Sequence, residues 1–277
     1  MSVLNQAFFK AYQLPGTVVP SSVPPAAEVP AVARYVEPTL PAMQPVLAAP
    51  PAPPPSAPPA PAIVPLVRPS LQVDAFAWPA TVVRLCKEGR PALAALGNQL
   101  LASLGQGKCV VGWTGCQAGD GATTLLLCLA RLVAACNVRA AVVDADCRAP
   151  ALALGLGVEV EQGWEDDALP LGEVAIESVQ DRLTLVPRIA PATDLAAAGG
   201  GLAKIVAALR RHYDLVWIDL GTVESAARLL QAAPGHLLDR ALVVRNARTS
   251  DAASLAGACR VLRSAGVADV AGVENFG

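Results

Sequence analysis

The sequence of 277 residues predicts an α/β fold over residues 71–277, in which a doubly wound, mostly parallel sheet carries helices on both faces. Three observations predict it. Short apolar runs alternate with Ala- and Leu-rich segments whose apolar residues recur at helical spacing. The runs are apolar throughout, as in strands that are buried on both faces of a parallel sheet. A glycine-rich turn joins the first run to a long helix.

The order of the elements follows from the same pattern. The segments expected to be strands are 109–113, 140–143, 183–186, 215–220, 241–245 and 270–273. The segments expected to be helices are 123–135, 201–212 and 251–265. Because strands alternate with helices, each pair of strands is expected to be joined by a crossover helix, which is the connection that parallel strands require.

Proline usage separates residues 15–70 from the rest of the chain. Of the 25 prolines, 18 precede residue 70, and the tract PAPPPSAPPAPA lies among them. Proline lacks the backbone donor that helices and sheets need, and such tracts favour extended, solvated polyproline II. Residues 15–70 are therefore expected to be a disordered Pro/Ala-rich linker. A docking site for a domain that binds polyproline is the alternative.

Residues 1–14 are expected to form a short amphipathic helix. Leu4, Phe8 and Tyr12 recur at spacings of four and share one helical face. An isolated helix of this length is marginal in water and needs a surface to lie on. That surface is either its own domain or another protein, for which residues 1–14 would be a tethered docking peptide.

Composition excludes several classes of function. The net charge of -2 argues against nucleic acid as a partner, since phosphates are neutralised by clustered Lys and Arg. No apolar run approaches the length of a transmembrane helix. Seven cysteines without a C-x-x-C pair, and only two histidines, make a zinc site improbable. The cysteines are expected to be reduced, mostly buried thiols of a cytoplasmic protein.

The turn after the first expected strand has the features of a phosphate-binding loop. It reads T-G-C-Q-A-G-D-G-A-T-T over residues 114–124 and leads into a long helix, so backbone amides and a helix N-terminus face the same point. Thr123 stands where a P-loop hydroxyl binds Mg²⁺, and Thr124 caps the helix. The candidate nucleotide-binding residues here are Gly119, Asp120, Gly121, Ala122, Thr123 and Thr124.

One position departs from the P-loop pattern. The residue before the hydroxyl is normally the lysine that reaches the β- and γ-phosphates, and here it is Ala122. A tight strand-to-helix turn with no ligand is the alternative explanation of the loop. Arg148 is the candidate cation that replaces the lysine, because an arginine fork binds phosphate well; a structural ion pair is its alternative role.

Acidic residues follow two of the other expected strands. The second strand leads into V-V-D-A-D-C-R-A-P over residues 142–150, and a later one reads Y-D-L-V-W-I-D over 213–219. Acids at carboxyl ends of parallel strands point into the ligand crevice. Asp144 and Asp146 are the catalytic candidates, which would orient water or a hydroxyl nucleophile. Asp219, with Thr123 and Asp144, completes the candidate Mg²⁺ ligands. An exposed strand end or a helix N-cap is the alternative for each acid alone.

Taken together, G-x-x-x-G-x-G-A-T-T, V-D-A-D-x-R-x-P and Y-D-x-V-x-I-D resemble the motifs of the P-loop ATPases of the ParA/MinD superfamily. The closer likeness is to the bacterial tyrosine kinases (CpsD/CapB-like) of capsule and exopolysaccharide synthesis, and it spans about residues 96–275. The resemblance implies a P-loop NTPase fold, ATP or ADP with Mg²⁺ as ligands, and cytoplasmic localisation. It also implies that Asn275 contacts the base.

The chain departs from the resembling kinases in several ways. Ala122 replaces the lysine, and Gln117 stands where ParA/MinD-type proteins carry a second lysine. The only tyrosines are Tyr12, Tyr35 and Tyr213, with no cluster near residue 277. Tyrosine autophosphorylation of the kind that the resemblance would imply is therefore not expected.

Three functions remain open on the sequence. The first is a kinase-like or ATPase-like component of exopolysaccharide biosynthesis or export, with weak or partner-dependent ATP binding. The second is a catalytically dead regulatory pseudoenzyme of the same fold. The third is a ParA/MinD-like positioning ATPase. For the first, the expected partner is a membrane-embedded polysaccharide co-polymerase or another pathway protein, which would contact residues 1–14 and recruit the chain to the inner face of the membrane.

Overall fold

Strands form the centre of the fold in the computed structural model, which describes residues 10–12, 69, 71–103, 109–165 and 170–276. The strands of these residues are β1 (Lys10–Tyr12), β2 (Leu71–Val73), β3 (Cys109–Gly115), β4 (Ala140–Asp144), β5 (Ile176–Ser178), β6 (Leu183–Val186), β7 (Leu215–Thr222), β8 (Arg240–Asn246) and β9 (Val270–Asn275). They make one sheet in the order β1-β9-β8-β3-β7-β4-β6-β5-β2.

The central strands of the sheet run parallel. From β9 to β6, each strand pairs in parallel with its neighbour, while β5 is antiparallel to β6 and β1 is antiparallel to β9. The chain passes from β3 to β4 and β6, then returns to β7 beside β3 and continues outward through β8 and β9. The carboxyl ends of β3 and β7 therefore border the crevice where open α/β sheets bind ligands.

Helices cover the two faces of the sheet. They are α1 (Ala80–Glu88), α2 (Arg90–Ser103), α3 (Ala122–Ala134), α4 (Leu152–Gly155), α5 (Leu171–Val174), α6 (Leu195–His212), α7 (Val223–Ala232) and α8 (Ala252–Ser264). One face packs against α1, α2 and α3, and the other packs against α6, α7 and α8. None of the described helices combines the length and apolar character that crossing a bilayer requires.

The expected α/β fold is confirmed, and the six expected strands are present. The expected helix 201–212 begins earlier, at Leu195, because the Asp194 side chain accepts hydrogen bonds from two amides of the first turn. Glycines lower the helix propensity of this part of the chain, so the sequence pattern did not predict it as helix. At Gly199 a Cβ would come within 2.9 Å of backbone atoms at the end of α7, so a close approach of two segments requires glycine there.

The N-terminal segment differs from the expectation where it is described. Lys10–Tyr12 is a strand that pairs antiparallel with β9, so the expectation of a helix is wrong for these three residues. Strand pairing satisfies backbone groups along the open edge of β9, which a helix at the same place would leave unpaired. The remaining residues of 1–14, and the expected linker 15–70 apart from Pro69, lie outside the described residues.

A buried ion pair joins the ends of β8 and β9 near the crevice. Arg245 and Glu274 are register partners, both 8% exposed, and the Arg245 guanidinium donates a hydrogen bond to the Glu274 carboxylate. It also donates to the carbonyl of Ser250 at 2.5 Å. Charges that are removed from water depend on such partners, because each would otherwise lose its hydration without compensation.

We expect Glu274→Gln to lower the free energy of unfolding by about 3 kcal/mol, because it leaves the Arg245 charge buried without a counter-charge. The matched control is Glu224→Gln, which breaks an exposed pair with Arg228 and should cost about 0.5 kcal/mol or less. Urea unfolding of both variants measures the difference. Equal losses for the two variants would show that the buried pair does not stabilise this edge of the sheet.

Candidate functional site

The glycine loop leaves β3 at Gly115 and enters α3 at Ala122. Gly119 and Gly121 have φ values of +87° and +85°, a conformation that other residues adopt only with strain. A Cβ at Gly121 would also lie 2.5 Å from the side-chain nitrogen of Asn275. The N-cap residue of α3 is Gly121, which has no side chain, so the expected cap by Thr124 is not found and no N-cap side chain accepts from the amides of the first turn. The loop therefore has the backbone shape and the donors of an anion site.

Hydrogen bonds to Asp120 fix the conformation of this loop. Its carboxylate is 3% exposed and accepts hydrogen bonds from the amide of Gln117 at 2.8 Å and from the amide of Asn246 at 3.3 Å. The side-chain amide of Asn275 donates to the Asp120 carbonyl at 3.1 Å. The ends of β8 and β9 are thereby fastened to the loop. These contacts give Asp120 and Asn275 a part in shaping the loop, and contact of either with a nucleotide stays a prediction.

The structure brings Thr123 and Asp219 together. The Thr123 hydroxyl donates a hydrogen bond of 2.7 Å to Oδ2 of Asp219, and Oδ1 of Asp219 accepts from the amide of Gly221 at 3.1 Å. Thr123 lies on the first turn of α3, and Asp219 lies on β7 next to β3. A hydroxyl and a carboxylate at this distance are oxygen ligands of the kind that Mg²⁺ takes, directly or through water.

Asp144 lies beside Asp219, because the two residues are register partners of β4 and β7. Its carboxylate is 1% exposed and is directed at its own loop, where Oδ2 accepts from the amides of Ala151 and Leu152 at 2.9 Å each. Oδ1 accepts from the amide of Asp146 at 3.2 Å. Both oxygens are therefore engaged in the folded chain, and a role for Asp144 as a metal ligand or a base requires some of these bonds to be exchanged.

Asp146 shapes the same loop and touches β7. Its Oδ1 accepts from the amides of Arg148 at 2.8 Å and Ala149 at 3.2 Å. The carboxylate lies against Gly221, whose φ is +68° and where a Cβ would be 2.5 Å from the Asp146 carboxyl carbon. Arg148 itself is exposed. Its amide is fixed by Asp146, while its guanidinium forms no ion pair with any residue of the described ranges.

Burial perturbs the two acids that face each other across β4 and β7. Burial raises the pKa of Asp144 to about 7, and the Asp219 charge adds to this rise against three amide hydrogen bonds that oppose it. Burial likewise raises the pKa of Asp219 to about 6, although the Thr123 hydroxyl and the Gly221 amide favour its charged form. Perturbed acids in a crevice are typical of functional sites, because a bound cation would stabilise the charges that the protein leaves uncompensated.

The arrangement fits a divalent cation that is bound jointly by protein oxygens and by a phosphate. It fits less well a metal ion that is coordinated by protein side chains alone. Across residues 71–103, 109–165 and 170–276, no group of three or more His, Cys, Asp or Glu side chains is placed to hold a metal ion. Thr123 and Asp219 alone supply two oxygens, so phosphate oxygens and water would have to complete the coordination, as is usual for Mg²⁺. Ala122 adds no charge at the position of the P-loop lysine.

Sequence patterns did not reveal three residues that shape the site. Trp164 is 2% exposed, and its indole nitrogen donates to the Asp144 carbonyl at 2.6 Å. Asn246 supplies the amide that holds Asp120, and Gly221 makes room for Asp146. A backbone amide leaves no signal in a sequence, but D-L-G after an apolar strand was a visible signal for a glycine with positive φ.

Comparison with known proteins shows which solved structures share this fold. No family model matches the sequence, and no curated protein does. The kinase domain of the Escherichia coli tyrosine kinase ETK is similar in structure, with a TM-score of 0.57 and 20% identity over 65% of this chain and 72% of that one. The VpsO kinase domain gives a TM-score of 0.55 and 23% identity over 66% of this chain and 95% of that one.

The BceF tyrosine kinase domain extends the likeness to 77% of this chain and 94% of that one, with a TM-score of 0.55 and 20% identity. The chain therefore has the α/β fold of bacterial tyrosine kinase domains, and the fold that the motif resemblance implies is confirmed. At these identities the likeness concerns the fold, and function has to be argued from the site.

The raised pKa of Asp219 predicts a pH-dependent stability. Since its pKa rises from 3.8 to about 6 on folding, the folded state binds the proton more tightly, and stability falls as pH increases between about 4 and 6. Asp219→Asn keeps an acceptor for Thr123 and removes this loss. Without Mg²⁺, the unfolding free energy of the variant minus that of wild type should grow by about 2–3 kcal/mol from pH 4.5 to pH 7. Parallel pH profiles in urea unfolding would contradict it.

Proposed function

We propose that this chain is a kinase-like, nucleotide-binding component of exopolysaccharide biosynthesis or export, with weak or partner-dependent binding of Mg²⁺-ATP or Mg²⁺-ADP. The observation that carries the nucleotide site is the hydrogen bond of 2.7 Å between Thr123 and Asp219, beside a loop whose two glycines have positive φ. The pathway rests on the resemblance of the three motifs to the tyrosine kinases of capsule and exopolysaccharide synthesis, which implies cytoplasmic localisation.

Different residues of the site would bind different parts of a nucleotide. The amides from Gly119 to Thr124 would bind phosphate oxygens, since they lie in a glycine loop and an uncapped helix N-terminus. Thr123 and Asp219 would hold Mg²⁺, which when bound neutralises phosphate charge. Asp120 and Asn275 keep the loop in shape. Arg148 is the candidate for a replacement cation, because its backbone is fixed next to Asp146 and its side chain is exposed.

The missing lysine sets the expected affinity. A hydrogen bond to a charged group contributes about 1.5–3 kcal/mol, so its absence weakens binding roughly tenfold to a hundredfold. Its absence affects turnover at least as much, because negative charge spreads over the transferring phosphoryl oxygens in the transition state. We therefore expect binding in the high micromolar range or weaker, about 5 kcal/mol or less, with negligible hydrolysis.

A regulatory pseudoenzyme of the same fold is the second candidate function. What favours it is the state of Asp144, whose two oxygens are taken up by three backbone amides, together with Ala122. A base has to reach the proton that it abstracts, and Asp144 reaches only its own loop here. Nucleotide titration separates the two candidates: the first binds Mg²⁺-ATP weakly or only with a partner, and the second is a binding and regulatory module that keeps the fold without turnover.

We expect Ala122→Lys to tighten Mg²⁺-ATP binding about tenfold to a hundredfold, because the rest of the phosphate cradle is in place. The matched control is Ala118→Lys, which adds the same charge to an exposed position of the same loop. It should gain much less, since a charge in water is screened. Titration with a fluorescent ATP analogue in the presence of Mg²⁺ measures both variants.

Two outcomes of this titration contradict the proposal. No gain for Ala122→Lys would show that the loop is not shaped for phosphates. An equal gain for the two variants would show that added charge acts at long range, without a formed cradle.

Hydrolysis by wild type at ordinary rates would assign the missing charge to another cation, and Arg148→Ala would then abolish the hydrolysis.

For the N-terminal segment we propose a partner, the membrane-embedded polysaccharide co-polymerase or another protein of the pathway. Deleting residues 1–70 should abolish co-purification with the co-polymerase of the same cells. The melting temperature should be nearly unchanged, because the deletion removes only the three-residue strand β1 from the described sheet. Unfolding of the shortened chain would make the segment a structural element, which the pairing of β1 with β9 would then explain.

A further inference from the structure

Two cysteines meet where α1 crosses the helix that follows the glycine loop. Cys86 lies on α1 and Cys128 lies on α3, and both helices belong to the same face of the sheet. Cys86 is half-buried, whereas Cys128 is fully buried, so only the first is within reach of a small molecule from solvent. The nucleotide site proposed above uses neither thiol.

The contacts of the two thiols are reciprocal. The Cys86 thiol lies 3.7 Å from the carbonyl of Cys128, and the Cys128 thiol lies 3.9 Å from the carbonyl of Val82. Val82 is one helical turn before Cys86. Each sulfur therefore lies within 4 Å of a backbone carbonyl of the opposite helix. A disulfide needs this close approach of two backbones.

A cation and an aromatic ring complete the surroundings. Arg131 follows Cys128 by about one turn of α3, and its guanidinium lies 5.1 Å from the ring centre of Trp78, just before α1. The Arg131 charge acts on Cys86 in favour of the thiolate. Cysteines that react first with an oxidant occur in such partly exposed, electropositive places.

We propose that Cys86 and Cys128 form an oxidisable pair, in which Cys86 reacts with a hydroperoxide and Cys128 resolves the product as a disulfide between α1 and α3. Cys86 has the exposure, and Cys128 has the proximity, that these two roles require. This modification site is independent of the proposed nucleotide site, so either can fail without the other.

The protonation of the two thiols assigns the first attack, on peroxide, to Cys86. The hydrogen bond with Cys128 and the charge of Arg131 lower the pKa of Cys86 to about 7, although burial opposes them. The hydrogen bond with Cys86, followed by burial, raises the pKa of Cys128 above its ordinary value. A thiolate is the nucleophile towards peroxide, so Cys86 is the attacking group of the pair.

The chemistry balances with one hydroperoxide as the oxidant. The Cys86 thiolate attacks one peroxide oxygen, the O–O bond breaks, and Cys86 becomes a sulfenic acid while the leaving oxygen takes up a proton as water or alcohol. The Cys128 sulfur then attacks the Cys86 sulfur. The S–O bond breaks, and the hydroxyl leaves as water with the proton of Cys128. Two thiols are oxidised to one disulfide, and one peroxide is reduced.

The consequence lies in the position of Cys128 along α3. This helix begins at Ala122, directly after the glycine loop, and Cys128 lies less than two turns further on. A disulfide would join that first part of α3 covalently to α1. Thiol oxidation would thereby act on the helix that carries Thr123.

The test is peroxide treatment of the full, reduced chain at pH 7, followed by blocking of free thiols, digestion and mass spectrometry. We expect a cross-linked peptide pair whose fragmentation assigns the bond to Cys86 and Cys128, and the same pair in Cys136→Ser, which removes an exposed thiol. Cys86 recovered as a free thiol, or joined to any other cysteine, would overturn the proposal.

A second measurement separates the two roles. In Cys128→Ala, the cross-link should be lost and a cyclic dione should trap the sulfenic acid on Cys86; in Cys86→Ser neither product should form. The rate of trapping should fall roughly tenfold between pH 8 and pH 6, following the thiolate of Cys86. A rate that is the same at both pH values, or a dione adduct in Cys86→Ser, would contradict the assignment.

Discussion

The site depends on a buried carboxylate that belongs to the loop itself. Asp120 is almost fully removed from water, and a carboxylate in that position is costly unless hydrogen bonds replace its hydration. The amides of Gln117 and Asn246 replace it, one from the loop and one from the end of β8. The glycine loop is thereby tied to the sheet before any ligand arrives, and Asn275 ties it a second time from β9.

A P-loop lysine normally goes together with two properties of the loop, the shape of the phosphate cradle and its positive charge. In this loop the two properties are separate. The shape of the proposed cradle comes from glycines and from Asp120, so it does not depend on a lysine at the position of Ala122. Ala122 supplies no positive charge there. Burial meanwhile raises the pKa of both Asp144 and Asp219. In the proposed site, the geometry for binding phosphate is present and the positive charge at the lysine position is missing.

The sequence predicted what repeats along the chain and missed what depends on contacts between distant segments. Continuous apolar strands and helical spacing predicted the sheet, and three motifs predicted the meeting of Thr123 with Asp219. The bonds that engage both oxygens of Asp144 join it to amides up to eight residues away, and amides carry no sequence signal. The strand at Lys10–Tyr12 was missed because the free edge of β9, rather than local spacing, determines it.

The glycine loop is proposed to receive phosphate without a lysine at the position of Ala122. The most direct test follows the amide signals of Gly119, Gly121 and Thr123 by nuclear magnetic resonance in the isotope-labelled chain during titration with Mg²⁺-ADP. We expect these amide signals to shift together with increasing nucleotide and to saturate at high concentration, while signals of the cavity around His236 and Leu237 stay in place. Unchanged loop signals at saturating nucleotide, or shifts confined to that distant cavity, would contradict it.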